Sequence, residues 1–287
     1  MASNPESDRG LRHAGRRLFS VAQAAFRGPY EARERALERI DEWKDHHGAV
    51  AQPSIVGAWE ERLHELLGEP WPCPAHDEFG TLYDNVAASL ADRGLLVGRG
   101  AYGGWDDGDA ALARTVWCAT LHTRPEFVVE TGVARGITSR VVLEAFERNG
   151  CGHLWSIDIP PLLETGLRAE TAIAVPERLR SRWRYVEGSS RRRLPSLVSA
   201  LGTVDLFVHD SMHTTRNVAF ELAHVWPALR ARGVLVVDDV ERNSAFAAFA
   251  EAQTDCRAVA GKADDDIATI GVAVKEQPTS KPVSGRR

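Results

Sequence analysis

The sequence predicts an α/β protein: a doubly wound parallel sheet with a helical region in front of it. Three observations carry this. After Pro125, short apolar runs alternate with helical stretches, the order of a parallel sheet whose crossover helices cover both faces. The runs, such as Val204-Asp205-Leu206-Phe207-Val208 and Val234-Leu235-Val236-Val237, are nearly continuous rather than alternating, as strands buried on both sides require. The first hundred residues instead carry helical periodicity.

Taken in order, residues 1–28 are polar and Arg-rich and read as a flexible arm, with one short amphipathic turn around Leu18, Phe19, Val21, Ala22 and Phe26. Residues 29–104 read as an all-α accessory and substrate region. A helix over 31–47 places Ala36, Ile40 and Trp43 three or four apart, with Glu and Arg on its other faces. A second, over 54–67, gathers Val56, Trp59, Leu63, Leu66 and Leu67 and stops at Gly68, with Pro70 and Pro72 beyond. A third covers 78–93. Residues 98–108 are Gly-rich around Tyr102 and Trp105. They read either as a segment that closes on a ligand or as a connector whose aromatics pack on the domain. A helix over 109–122 follows.

The main domain is read as 105–275. Strands are expected at 127–130, 153–158, 183–186, 204–210 and 233–239. Helices over 138–148, 194–201 and 215–230, and a helical stretch before Trp183, connect them. Two last strands fall at 257–260 and 267–274, with an acidic Asp264-Asp265-Asp266 turn before the second. The tail, 276–287, is Ser, Pro, Lys and Arg-rich and reads as disordered.

Composition excludes several classes. Thirty-five Lys+Arg against 40 Asp+Glu leave a net charge of −5, which argues against a nucleic-acid partner held by bulk charge. No apolar stretch approaches the roughly 20 residues of a membrane span, and residues 1–9 lack an apolar signal core. A cytoplasmic protein without membrane or nucleic-acid partners is expected. Cys73, Cys118, Cys151 and Cys256 lie far apart with no C-x-x-C pair. Neither a disulfide framework nor structural zinc is therefore read, and the thiols are taken as reduced. His46, His47, His64 and His122 are taken as structural.

In an open parallel sheet, ligands bind beyond the carboxyl ends of the strands, where strand order reverses. The first strand of this sheet ends in Glu130-Thr131-Gly132-Val133-Ala134-Arg135-Gly136. Gly132 and Gly136 allow a tight turn and close approach of a ligand. Thr138 and Ser139 open a helix whose free N–H groups suit a carboxylate or phosphate. Twenty-eight residues after Glu130, Asp158 ends the second strand, where an acid can accept hydrogen bonds from both ribose hydroxyls. Ser189 and Ser190 follow the third strand, where an adenine edge could be read. Glu130 stands where a dinucleotide fingerprint has its first glycine. An acid there repels a pyrophosphate but pairs with an ammonium, which points away from NAD and toward an amino-acid-bearing nucleoside such as S-adenosylmethionine.

The runs E-T-G-V-A-R-G, S-I-D-I, H-D-S-M-H and G-V-L-V-V-D-D-V-E-R-N together resemble the class I S-adenosylmethionine-dependent methyltransferases. Within them, they resemble the small-molecule O-methyltransferases of natural-product pathways, including the macrolide-sugar and rhamnosyl types. The resemblance covers about residues 105–275. It implies a Rossmann-like, seven-stranded sheet with the last strand antiparallel. It also implies S-adenosylmethionine as cofactor, held by Glu130, Thr131, Gly132, Gly136, Ser139, Asp158, Ser189, Ser190 and Asp210. It leaves the helical first hundred residues uncovered.

Asp210 ends the fourth strand, and Asp238 and Asp239 end the fifth. In the implied topology these strands are neighbours, so three carboxylates meet at one rim and must take up protons or bind a cation. Metal-using members of the resembled family place acids after these strands, which implies Mg²⁺ on Asp210, Asp238 and Asp239, with Asn243 in support. Oxygen ligands suit that ion. An ion chelated by two substrate hydroxyls would stabilise the developing alkoxide. His213, three residues after Asp210, is the expected general base, with Asp210 beside it in catalysis. His209 is read as facing the sheet edge.

The leading expectation is thus a Mg²⁺-assisted O-methyltransferase acting on a sugar, vicinal diol or catechol-like small molecule. The alternatives are a metal-independent O- or N-methyltransferase using His213, an NAD-linked enzyme, and a non-catalytic nucleotide-binding protein on the same fold. The apolar faces of the first helices are expected to shape the acceptor site or to join copies in a homo-oligomer.

Overall fold

The computed structural model describes residues 29–48, 51–161, 164–262 and 268–277. The expected arm, the Asp264–Asp266 turn and nearly all of the tail lie outside them. Helices α1 (Pro29–His47), α2 (Trp59–Leu67) and α3 (Pro74–Ala91) come first, followed by strands β1 (Gly98–Tyr102) and β2 (Trp105–Asp107). Helix α4 (Ala110–Thr123) leads into the main sheet: β3 (Phe127–Thr131), α5 (Ile137–Asn149), β4 (His153–Asp158), α6 (Thr165–Glu170), β5 (Trp183–Glu187), α7 (Ser190–Leu201), β6 (Val204–His209), α8 (Thr215–Val225), β7 (Leu229–Val237), α9 (Ala245–Ala252), β8 (Cys256–Lys262) and β9 (Thr269–Lys275).

The sheet has seven strands in the order β5-β4-β3-β6-β7-β9-β8. The first five run parallel, and β9 runs antiparallel to both β7 and β8. This is the expected Rossmann-like sheet with its last strand reversed. Order reverses between β3 and β6, and the crevice opens there. Val128, Leu206, Val234 and Val272 pack into one core layer, and Val129, Phe207, Leu235 and Ala273 into the other. A strand with both faces covered has no polar side to alternate with.

Several expectations need correction. Residues 98–107 form a β-hairpin, not a loop, so the accessory region is not all-α and the hairpin straddles residue 104. The expected helix over 54–67 begins only at Trp59. Ahead of it, Ile55 bridges Ala260 at the edge strand β8, with Val56 N–H donating to Ala260 O at 3.0 Å. The helix expected to reach residue 230 ends at Val225, because Pro227 cannot continue it, and β7 starts at Leu229. Helix α9 was not foreseen, since its all-apolar AFAAF run has no polar face to give a period.

The inner face of α1 is the largest reversal. Glu34 and Asp41 are buried, whereas Ile40 and Trp43 are exposed. Asp41 pairs with Arg216 at 3.3 Å, Glu34 with Arg191 at 3.6 Å, and Asp45 accepts from Thr215 N–H at 2.7 Å. Polar contacts to α8 and α7 seat this helix, not its apolar stripe. No described helix is long and apolar enough to cross a membrane.

Candidate active site

A cavity of about 850 Å³ opens at the carboxyl ends of β3, β4, β5, β6 and β7. Gly132, Asp158, Ser189, Ser190, Asp210, His213, Asp238 and Asp239 all line it, so one rim gathers most of the expected site. Glu130, Thr131, Gly136 and Ser139 lie behind its wall.

Gly132 sits at φ +86°, and a Cβ there would fall 1.8 Å from Asp210 O. Only glycine lets the β3 turn pass this close to the end of β6, where Asp210 N–H donates to Thr131 O at 2.8 Å. Gly136, also left-handed, starts α5 with no side-chain cap, and Ile137 and Thr138 of that first turn reach the cavity. Asp158 Oδ2 accepts from Tyr185 OH at 3.2 Å, and its Oδ1 faces Val133 N–H at 3.4 Å.

Glu130 is fully buried beneath the turn. Ser139 and Ser156 hydroxyls donate to its Oε2 at 2.6 and 2.5 Å, while Oε1 has no hydrogen-bond partner among the described residues. Burial, against those two hydrogen bonds, pushes its carboxyl up to about 7.

The acids on the other side divide into two roles. Asp239, strained at φ +52°, receives His213 Nδ1 at 2.5 Å and Arg242 Nε at 3.1 Å. It is buried, not solvent-facing. Burial works to raise its pKa, but His213 and Arg242 outweigh that and hold it low. Among the described residues Asp238 has no such cation, and Asp210 has only the more distant His213 Nε2, at 3.8 Å. Burial and then neighbouring acids, offset in part by His213, push Asp210 up to about 8, and burial with Asp210 and Asp239 lifts Asp238 well above the carboxylate range. Asp238 Oδ1 is buried without a partner among the described residues. Donor atoms of Asp210, Asp238 and His213 lie within 4.8 Å of one another. The cation-ready set is therefore Asp210 and Asp238 beside His213, and the expected third ligand, Asp239, is already engaged by His213 and Arg242.

His213 Nε2 points toward Asp210 Oδ1 at 3.8 Å. Burial lowers its pKa, but Asp239 and Asp210 outweigh this and raise it. Asn243 does not support the rim: its Oδ1 accepts from Ala245 N–H at the start of α9.

His209 does not face the sheet edge. It is fully buried with Nδ1 2.7 Å from Glu221 Oε2. Thr131 Oγ1 donates to the same oxygen at 2.6 Å, and Ser211 Oγ and Asn217 Nδ2 donate to Oε1 at 2.8 and 3.0 Å. Burial alone would raise the Glu221 carboxyl, but His209 and the hydroxyls bring it down to about 2. This network locks the end of β3 to the 209–217 segment that presents His213. Its only signal in the sequence is Asn217 and Glu221 four apart among apolar α8 positions.

The accessory region closes the cavity. Glu42, Asp45 and His46 of α1, Gln52, and Tyr102, Trp105 and Asp106 of the hairpin all line it. Arg135, from the Gly turn itself, anchors the hairpin. It pairs with Asp107 at 2.9 Å and Glu170 at 2.7 Å, and donates to Leu96 O and Ala101 O.

Comparison with known proteins agrees with the fold. Residues 129–240 match a family model described as a methyltransferase domain. No curated protein matches the chain. Among solved structures, it is similar to a Klebsiella pneumoniae protein assigned as an O-methyltransferase, at 14% identity over 77% of this chain and 97% of that one, TM-score 0.50. It is also similar to a Bacillus cereus O-methyltransferase in complex with SAH, at 12% identity over 76% and 97%, TM-score 0.50. At these identities the likeness is one of fold. The matched segment holds the Gly turn, Asp158, His213 and the Asp238-Asp239 pair, so it is over residues 129–240 that the chain is similar to a methyltransferase domain.

Proposed function

We propose that this protein transfers the methyl group of S-adenosylmethionine to a hydroxyl of a small molecule, with Mg²⁺ assistance, in a natural-product pathway. The acceptor is a sugar, vicinal diol or catechol-like compound. The observation that carries the reading is His213, held by Asp239 on Nδ1 and presenting Nε2 at the rim beside Asp210.

Gly132 and the open first turn of α5 leave room for the methionyl part of the cofactor, and Asp158 accepts its ribose hydroxyls. Glu130, buried beneath the turn, favours an ammonium above it. The helical region and hairpin supply the acceptor side of the cavity, in which acids such as Glu42, Asp45, Asp106 and Glu241 outnumber the cations Arg191 and Arg242. That wall favours a neutral or cationic acceptor over a phosphate or carboxylate.

With Nδ1–H donated to Asp239, His213 Nε2 keeps a lone pair and takes the acceptor's hydroxyl proton as the oxygen attacks. Asp210 and Asp238 fit a divalent cation: both are oxygen donors crowded together, and Asp238 is buried with one oxygen that has no partner among the described residues. When bound, such an ion would lower the pKa of a chelated hydroxyl. A metal-independent reading, in which the His213–Asp239 pair suffices, is favoured by the 2.5 Å contact between them.

Methyl transfer from isotopically labelled S-adenosylmethionine to a panel of catechols, sugars and amines, in protein stripped with EDTA and then given Mg²⁺, tests the proposal. Loss and recovery of product supports the metal-assisted form. Equal turnover in verified metal-free protein selects the metal-independent one. Transfer to amines but not hydroxyls overturns the oxygen assignment.

A further inference from the structure

The chain holds a second cluster of metal-binding side chains, none of which lines the cavity already described. His64 lies on α2, Cys73 immediately precedes α3, and Cys118 and His122 lie one turn apart on α4. His64 Nε2 is 2.9 Å from Cys73 Sγ, and His122 Nε2 is 3.4 Å from the same sulfur. Donor atoms of His64, Cys73 and Cys118 all lie within 4.8 Å of one another, and all three residues are buried. The two imidazole rings meet edge to face at 5.3 Å. We propose that Cys73, Cys118, His64 and His122 form a four-ligand site for a structural Zn²⁺.

The orientation of the rings argues for a ligand rather than for ordinary packing. His64 Nδ1 lies 2.7 Å from Glu60 O, and a carbonyl can only accept, so Nδ1 carries the proton and Nε2 turns its lone pair on the cluster. His122 is arranged the same way: its Nδ1 faces Glu69 Oε2 at 3.6 Å while Nε2 faces the sulfur. A backbone carbonyl or carboxylate on the outer nitrogen is the usual support of a metal-bound imidazole. Two thiols and two imidazoles match the soft, tetrahedral preference of Zn²⁺. Two thiolates and one dication are neutral together, so binding exchanges two thiol protons for the ion without leaving a buried net charge.

Sequence spacing concealed the site. Cys73 and Cys118 are 45 positions apart, and only Cys118 and His122, at i and i+4, share a helix face. The reading against structural zinc rested on the lack of a C-x-x-C pair, whereas here three separate elements converge. The ion would tie α2 and the start of α3 to α4, the helix that enters the sheet, and so fix the accessory region that walls the cavity.

The test uses the full chain, purified without chelator from zinc-supplemented medium. Elemental analysis should find about one zinc per chain, lost in Cys118→Ser and in His122→Ala. His122 sits at the edge of the cluster, so its variant is the one expected to fold regardless. Zinc-free wild type titrated with Co²⁺ should give tetrahedral visible bands and a thiolate-to-cobalt charge-transfer band, with a raised Tm, and the same band should be absent from Cys73→Ser. Wild type that folds without zinc and gives no charge-transfer band overturns the proposal. So does zinc that stays bound in the Cys118→Ser and His122→Ala proteins, since the ion would then sit at the oxygen-donor rim.

Discussion

His213 Nδ1 and Asp239 Oδ2 are 2.5 Å apart, and this contact decides which nitrogen of the imidazole faces the cavity. Replacing Asp239 by Asn keeps the size but offers an amide that can hold the ring in the wrong tautomer. Asp239→Asn is expected to lower kcat by about 10²–10⁴-fold and to leave S-adenosylmethionine affinity unchanged. Asp239 and Asp210 together raise His213 despite burial. A base must be deprotonated, so the acid limb of the rate profile lies above the ordinary imidazole range, and loss of the Asp239 charge moves it to lower pH. Steady-state kinetics across pH reads both effects.

Asp238, not Asp239, is the residue whose loss should weaken a rim cation. Asp238→Asn removes one of two charges and is expected to reduce Mg²⁺ affinity more than tenfold. Because the Asp210 carboxyl is pushed up to about 8, a cation must displace a proton at neutral pH. Asp238 is raised as well, so Mg²⁺ affinity should rise as pH is increased from 6 through 8. Calorimetric titration with Mg²⁺ at a series of pH values measures it.

Glu130 is held mostly protonated below about 7 by burial. If its role is to favour the cofactor's ammonium, binding must ionise it. S-adenosylmethionine binding to metal-free protein at pH 6 to 7 is then expected to release protons. Titrations in buffers of different ionisation enthalpy count them, and Glu130→Gln should remove the release.

Arg135 joins the Gly turn to the hairpin through two carboxylates. Arg135→Met would leave buried Asp107 and part-buried Glu170 without their cation, a change expected to cost about 3–5 kcal/mol. Urea unfolding gives the loss directly, and acceptor KM should rise because the hairpin walls the cavity.

What could be read from sequence tracks how local each signal is. The sheet was legible because Val128-Val129 and Val234-Leu235-Val236-Val237 can be buried on both faces in only one kind of sheet. The rim was legible because strand ends in that sheet share an edge, which brings Asp158, Asp210, Asp238 and His213 to one cavity. The hairpin was not, since Gly98, Gly100, Gly103 and Gly104 suppress strand propensity and the pairing depends on Arg135, nearly thirty residues downstream of Asp107. The face of α1 was misread because its buried side is made of Glu34 and Asp41, whose partners Arg191 and Arg216 are far along the chain. Division of labour among the three aspartates depends on Arg242 and the left-handed turn at Asp239, which no spacing reveals.

Binding of S-adenosylmethionine at the rim of β3, β4 and β5 is the central claim, and calorimetric titration of the wild type and of Asp158→Ala tests it most directly. Loss of a charged acceptor for ribose hydroxyls is expected to weaken binding by about 1.5–3 kcal/mol, roughly ten- to hundredfold, while NAD gives no heat with either protein. Tight binding of NAD by the wild type, with no heat from S-adenosylmethionine, would contradict it.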